Sequence, residues 1–217
     1  MQSINRQNLT ALFLDFRGVF EAQRDFLIDL DSKVGDSDLG LTMHKAFTAA
    51  HASVASNAAE TPARSLQLAG MAMAKAAPST MGTLMATGFM RGGKALESCT
   101  HIGTQEMATF WSAFFTGVVE RGKAQPGDKT VLDVLQPVAA SLQASSAAGA
   151  SLEDALANAA AVAAEALDAT KTMVAQHGKA ACFQEKTLGL QDAGATVGFF
   201  LIDAMQKFVV QNKESTR

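Results

Sequence analysis

Apolar residues in this chain recur at steps of three and four along nearly its whole length, and almost nowhere at the strict alternation that a half-buried strand requires. Leu9, Leu12, Phe16 and Phe20 keep that step, as do Leu190, Val197, Leu201, Met205 and Phe208. Leu84, Phe89 and Leu96 mark another apolar face, and Phe110, Phe114 and Val118 another. Breakers are well spaced: Gly35 with Gly40, Thr61-Pro62, Pro78, Gly103, Pro126-Gly127, Gly149 and Gly178 divide the chain into about eight helical segments. Ser151 followed by Asp154 reads as a capping-box-like helix start, with Asp in place of Glu or Gln. The expected class is all-α, a compact bundle of antiparallel neighbours joined by short loops. Abundant Ala lets such helices approach closely. The Ala-rich stretch 139–166, with Leu142, Leu152, Leu156 and then Leu167, reads as a packed helix pair rather than low complexity.

Composition sets the outer limits. A chain of 217 residues with 48% hydrophobic and 18% charged residues can bury one sizeable core, and no linker divides it, so a single domain over 1–217 is expected. A net charge of −3 offers no basic stripe for nucleic acid or an anionic membrane. Two cysteines, Cys99 and Cys182, are too few for a disulfide framework and too far apart for a metal knuckle. Met1 to Asn8 lacks the basic start and apolar run of a secretory signal. The longest weakly polar stretch identified, Leu152 to Val162, is interrupted by Glu153, Asp154 and Asn158 and is too short to cross a membrane. A cytoplasmic protein with no membrane or nucleic-acid partner is the expectation.

The sharpest chemistry lies between Asp29 and Gly40. One helix ends near Lys33, another starts near Gly40, and Asp31, Asp36 and Asp38 fall within eight residues, with Gly35 free to turn the chain. Clustered carboxylates repel one another unless a cation or hydrogen bonds compensate. Hard oxygens in this arrangement suit Mg²⁺ or Ca²⁺, and Mg²⁺ commonly shares its shell with phosphate oxygens. Spacing alone leaves a second reading open, with Asp36 and Asp38 as helix N-caps and Asp31 as a solvated helix end. The EF-hand pattern is absent.

Asp31-x4-Asp36-x-Asp38-x-Gly40-x-x-Met43 resembles the metal loop of the dihydroxyacetone kinase nucleotide-binding domain, the L subunit or its fused equivalent. There the usual form is Asp-x3-Gly-Asp-Gly-Asp-His-Gly-x-Asn-Met. Pro126 to Pro137 is similar to the family's Gly-Asp-Lys-Thr-Met-Leu-Asp stretch. Gly178-Lys179-Ala180, Glu185 to Gly189 and Asp192-Ala193-Gly194-Ala195 are similar to its Gly-Arg-Ala, Glu-Arg-Ser-x-Gly and Asp-Pro-Gly-Ala tail. The resemblance runs from about Asn5 to Val210, and three ordered blocks are far more specific than any one.

The resemblance implies an eight-helix closed barrel with ADP or ATP held at one end through two Mg²⁺ ions. It implies Asp31, Asp36 and Asp38 as metal ligands, and Leu39, Gly40, Leu41 and Thr42 as the start of a helix whose N–H groups face the phosphates. Gly122, Val131, Lys179, Asp192, Ala193 and Gly194 match positions lining the nucleotide site, and Ala76 and Ala77 fall in the phosphate loop. Taken alone, Lys179 reads as a solvated lysine and Asp192 as the N-cap of the last helix. The implied activity is phosphoryl transfer, by a kinase incomplete in itself, to dihydroxyacetone or a related small keto-sugar. A separate K-type subunit would hold that substrate covalently on a His of its own. A phosphotransferase-system protein that recharges the bound ADP, and a homodimer, are further implied partners.

Departures from the family pattern open an alternative. Leu39 stands for His, Thr42 for Asn, Ser37 for Gly and Lys179 for Arg, which keeps the charge but loses the bidentate fork. The phosphate loop, commonly Gly-Gly-x-Ser-Gly-Pro-Leu-Tyr-Gly, reads Ala74 to Gly82 here, with Pro78 removing a donor and Ser79 and Thr80 as replacement hydroxyls. A non-catalytic regulatory or interaction descendant with weakened nucleotide binding is therefore the second reading. A fatty-acid-kinase-type nucleotide domain shares the Asp-x-Asp-x-Gly signature but fits the later blocks less well, and an unrelated helical bundle would need three coincidences.

Other features read as structural. His44 and His51 lie seven apart on one helix face without a third ligand; His101 sits in a loop and His177 at a helix end. Arg91-Gly92-Gly93-Lys94 is no phosphate-binding loop and reads as a helix-end turn. No nucleophile elbow occurs. The ten Met residues read as core filler.

Overall fold

The structure, a computed structural model, describes residues 2–56 and 61–214. Met1, 57–60 and 215–217, which the single-domain expectation includes, lie outside the described residues. Nine α-helices account for most of them: α1 (Arg6–Ala22), α2 (Arg24–Ser32), α3 (Leu39–Ser56), α4 (Pro62–Ala76), α5 (Thr80–Ala95), α6 (Thr104–Gly122), α7 (Leu132–Ala147), α8 (Leu152–Ala169) and α9 (Ala193–Glu214). Two short 3₁₀ segments, Thr170–Thr172 and Lys179–Thr187, lie between α8 and α9. There is no strand among the described residues, only an isolated bridge between Ile4 and Ile102.

Helix starts follow local chemistry. Asn5 caps α1 through a reciprocal pair of bonds with Asn8, each 3.0 Å. Thr61 and Ser79 cap α4 and α5 through their hydroxyls, and Pro62 occupies the first turn of α4, where a missing N–H costs nothing. Ser151 accepts from the Asp154 N–H and donates its hydroxyl to the Asp154 carboxylate, a variant of the expected box. The end of α6 comes at Gly122, four residues before Pro126, because Lys123 takes the left-handed conformation at φ 63°.

Consecutive helices pack on one another from α3 through α9, and α1 closes the ring by lying against both α3 and α9. The result is a closed eight-helix barrel with the short α2 added outside, on α3. Short loops make successive neighbours antiparallel from α3 to α8, and the longer 170–192 connection brings the start of α9 beside Val131. Phenylalanines fill the interior. Phe89 stands at the centre, within 5.4–6.3 Å of Phe13, Phe16, Phe47, Phe110 and Phe114, and Phe20 stacks on Phe47 at 4.3 Å. Leu9, Leu12, Phe16 and Phe20 are all buried, as their spacing requires, and so are Val197, Leu201, Met205 and Phe208; Leu190 lies ahead of α9. The Ala-rich pair α7 and α8 packs as expected.

Three local expectations are corrected. Arg91-Gly92-Gly93-Lys94 is not a turn: it lies inside α5, and its glycines let neighbouring helices approach. A Cβ at 92 would meet the Phe110 ring at 2.4 Å, and one at 93 the Ala63 carbonyl at 2.8 Å. His177 is not at a helix end but in the irregular stretch after Thr172. The most apolar long segment is not Leu152 to Val162 but Ala193–Asn212, the one helix among the described residues long and apolar enough to cross a membrane. Its apolar character follows from its place in the ring, where it faces α1, α7 and α8 at once.

Truncating Phe89 to Ala empties the centre of the aromatic cluster and is expected to lower unfolding free energy by about 3–5 kcal/mol, read from urea denaturation.

A carboxylate cluster at one end of the barrel

An up-and-down ring brings the N-termini of α3, α5, α7 and α9 to the same end, together with the C-termini of α4, α6 and α8. The expected metal and nucleotide positions fall at or near these ends or in the loops joining them. Contacts tie them together. Gly194 at the start of α9 lies against the Val131 backbone, the Asp192 carboxylate and Met81 in the first turn of α5. Gly122 at the end of α6 faces Leu84 of α5. Four helix N-termini at one end create a region of positive potential suited to anions.

Beside this end, the α2–α3 loop gathers carboxylates. Oxygen atoms of Asp31, Asp36 and Asp38 all lie within 4.8 Å of one another. Asp31 sits in the last turn of α2, and its Oδ2 accepts from the N–H groups of Asp38 (3.0 Å) and Leu39 (3.3 Å). It is therefore not a solvated helix end but caps α3 from across the loop, while the Asp38 carboxylate makes no hydrogen bond or ion pair among the described residues. The Leu39 N–H, expected to face a phosphate, is committed to Asp31. Two glycines make the approach possible: a Cβ at 35 would fall 2.0 Å from Asp31 Oδ1, and one at 40 would fall 2.0 Å from the Arg24 carbonyl oxygen. Ser37, between them, adopts the left-handed conformation at φ 62°, which explains why the family favours Gly there.

Lys179 reaches this loop from the other side of the site, 143 residues away in sequence, and its ammonium pairs with Asp36. Three carboxylates against one ammonium leave negative charge in excess. Hard, monodentate-capable oxygens with such an excess fit a divalent cation of the Mg²⁺ type.

The other expected positions divide. Leu39 and Thr42 are buried, so neither side chain projects from the barrel end, while Gly40 is packed on α2 and Leu41 is exposed. In the α4–α5 connection the Ala77 N–H is bonded to the Met73 carbonyl and the Ser79 N–H to the Ala77 carbonyl. Ser79 Oγ caps Gly82, which leaves Thr80 as the exposed hydroxyl. Asp192 caps α9, its Oδ1 accepting from the Ala195 N–H at 2.6 Å. Burial, reinforced by the charge of Asp133, pushes its pKa up to about 7, against the lowering effect of the Ala195 N–H and of Lys129.

Sequence reasoning missed the frame behind these groups. Asp133, nearly buried, accepts from the N–H groups of Gly127 (2.5 Å) and Thr130 (2.6 Å); Asp128 accepts from Gln125 (2.7 Å). Both belong to the Pro126 to Pro137 block, whose family resemblance singled it out without revealing which atoms bond. A surface groove of about 730 Å³ lies along α5, α6 and α7 near Ser112 and Gln143, and none of the expected site residues lines it.

The fold is thus that of a closed all-α barrel with a carboxylate cluster and several helix N-termini at one end. Residues 33–207 match the DAK2 domain, and the chain belongs to that family. It is 32% identical over 212 residues to the ADP-binding subunit DhaL of the PEP-dependent dihydroxyacetone kinase of Escherichia coli (strain K12), spanning 98% of this chain and all of the relative. The dihydroxyacetone kinase of C. freundii in its native form has the same fold, with a TM-score of 0.71 at 22% identity over 95% of this chain. Its complex with AMP-PNP and Mg²⁺ gives 0.69 at 23% identity over 91%. This chain spans about a third of that kinase, 35% and 33% in the two structures.

Because Asp192 holds its proton up to about pH 7 when folded but releases it near its ordinary value of 3.8 when unfolded, the folded state binds more protons between those limits. Its contribution to stability is thus full below about pH 4 and falls as pH rises through 7. Asp192→Asn, which keeps an acceptor for the Ala195 N–H, is expected to flatten that decline in denaturation curves taken from pH 4 to 8.

Proposed function

We propose that this chain is the nucleotide-holding subunit of a kinase for dihydroxyacetone or a related small keto-sugar. The observation that carries this reading is the convergence of Asp31, Asp36 and Asp38 beside four helix N-termini. The name of the E. coli relative, an ADP-binding subunit matched over its full length, supports it.

In this reading Asp31, Asp36 and Asp38 would hold Mg²⁺, two ions in all, and with it ADP or ATP. Bound Mg²⁺ screens the phosphates and stabilises the charge spread over a phosphoryl group in transfer. Asp31, already oriented by the Asp38 and Leu39 N–H groups, keeps one oxygen for a cation. Lys179 sits one ion pair from the cluster and supplies a cation to the phosphate oxygens; as a point charge it positions less strictly than an Arg fork. Val131, Gly122, Ala193 and Gly194 offer small or backbone surface against which the nucleotide lies, and Asp192 holds the start of α9 beside them. The sugar is bound by a separate K-type subunit, in the cytoplasm, with a phosphotransferase-system protein as phosphodonor; a homodimer is compatible with this arrangement.

The α4–α5 connection favours a second reading, a non-catalytic descendant with weakened nucleotide binding. Of the backbone donors there, those of Ala77 and Ser79 are spent internally and Pro78 has none. Titration calorimetry with ADP, after removal of any co-purified nucleotide, separates the two. The kinase-subunit reading expects binding that requires Mg²⁺ and that weakens by more than about 100-fold in Asp36→Ala, beyond the effect of losing an outer-shell partner. No binding with or without Mg²⁺ makes the non-catalytic descendant the better account.

A further inference from the structure

A buried ammonium needs acceptors. Lys129 is the one buried lysine among the described residues, 3% exposed, and its Nζ donates to the carbonyl oxygens of Met173, at 3.0 Å, and of Thr187. These two carbonyls are the two ends of the segment that carries Lys179. Around them the base of the segment is closed by the Ala175 N–H on Thr187 Oγ1 (2.9 Å) and the Gly189 N–H on the Lys171 carbonyl (2.7 Å). Beyond the base, two polar contacts reach the rest of the described residues: the Gln176 N–H to the Asp128 carbonyl (3.0 Å) and Lys179 to Asp36. Most side chains from Gln176 to Lys186 are exposed, and the path is irregular, with Gln184 at φ 51°. Apolar packing therefore does little to hold this segment.

The α6–α7 loop, by contrast, is tightly braced. Asp133 and Asp128 bind its N–H groups, and Lys129 is presented inward from a left-handed backbone at φ 59°. We propose that Lys129 is a positioning residue: its ammonium staples both ends of the 173–187 segment to this braced loop and so sets where Lys179 stands relative to Asp31, Asp36 and Asp38. Charge-assisted bonds to two carbonyls far apart in sequence restrict the intervening chain more than either bond would alone. Without them Lys179 has to be ordered when the nucleotide binds, and affinity falls by the cost of that ordering. The functional half of this proposal rests on the nucleotide-binding reading above; the structural half does not.

Lys129→Met keeps the length and removes the donors, and Lys129→Gln keeps one donor group. Hydrogen exchange on the full chain without ligand is expected to speed up by about tenfold or more at 174–186 in Lys129→Met, with α3 to α6 unchanged. Unchanged exchange in that segment overturns the proposal. ADP titration in Mg²⁺ is expected to show about tenfold weaker binding for Lys129→Met, less for Lys129→Gln, and under about twofold further loss when either is added to Lys179→Ala. Wild-type affinity in Lys129→Met, or full additivity with Lys179→Ala, overturns the coupling to Lys179. If Lys129→Met loosens every helix, the same comparisons made with Lys129→Gln decide. If the wild-type chain binds no ADP while exchange changes as expected, the nucleotide reading falls and the staple stands.

Discussion

Closure of the ring is the constraint on which the remaining geometry depends. Each helix has an apolar stripe that must be covered, and α1 completes the barrel by lying against both α3 and α9, elements far apart in sequence. The phenylalanines at the centre, with Phe89 touching rings from α1, α3 and α6, make that closure cooperative. Once eight helices alternate around a closed core, four N-termini necessarily share one end. The polar chemistry of this protein is the chemistry of that end.

Electrostatics at the site works by opposition. The α2–α3 loop brings three carboxylates together at a cost, offset in part by two N–H groups on Asp31 and by the Lys179 ammonium on Asp36. Steric economy makes the crowding possible, since Gly35 and Gly40 leave no room for a side chain against Asp31 and Arg24. On the far side, Asp192, Asp133 and Lys129 form a second charged group, sunk among backbone donors and carbonyls that fix the α6–α7 loop and the start of α9. One group faces outward with unspent oxygens; the other is consumed in holding the frame.

Much of the fold was legible because it is local. The period of Leu9, Leu12, Phe16 and Phe20, the cap at Ser151 and the break at Pro78 each express a rule that operates within a few residues. The three aspartates were legible for the same reason, lying in one short loop. Lys129 was not, although the block containing it stood out, because its acceptors at Met173 and Thr187 lie 44 and 58 residues away. Arg91 to Lys94 misled because paired glycines serve a turn and a close helix contact equally well; the Phe110 ring and the Ala63 carbonyl that require them belong to other helices.

By itself the sequence determined the helices, most of their ends and the presence of a carboxylate loop, since periodicity, capping and clustered charge are written in neighbouring residues. Tertiary structure decided which ends meet. It put Lys179 on Asp36, Gly194 against Val131, and Lys129 beneath the segment between them. The physical reason is that hydrogen bonds and ion pairs act over a few ångströms, and only the packed barrel brings residues 44 to 143 positions apart within that range.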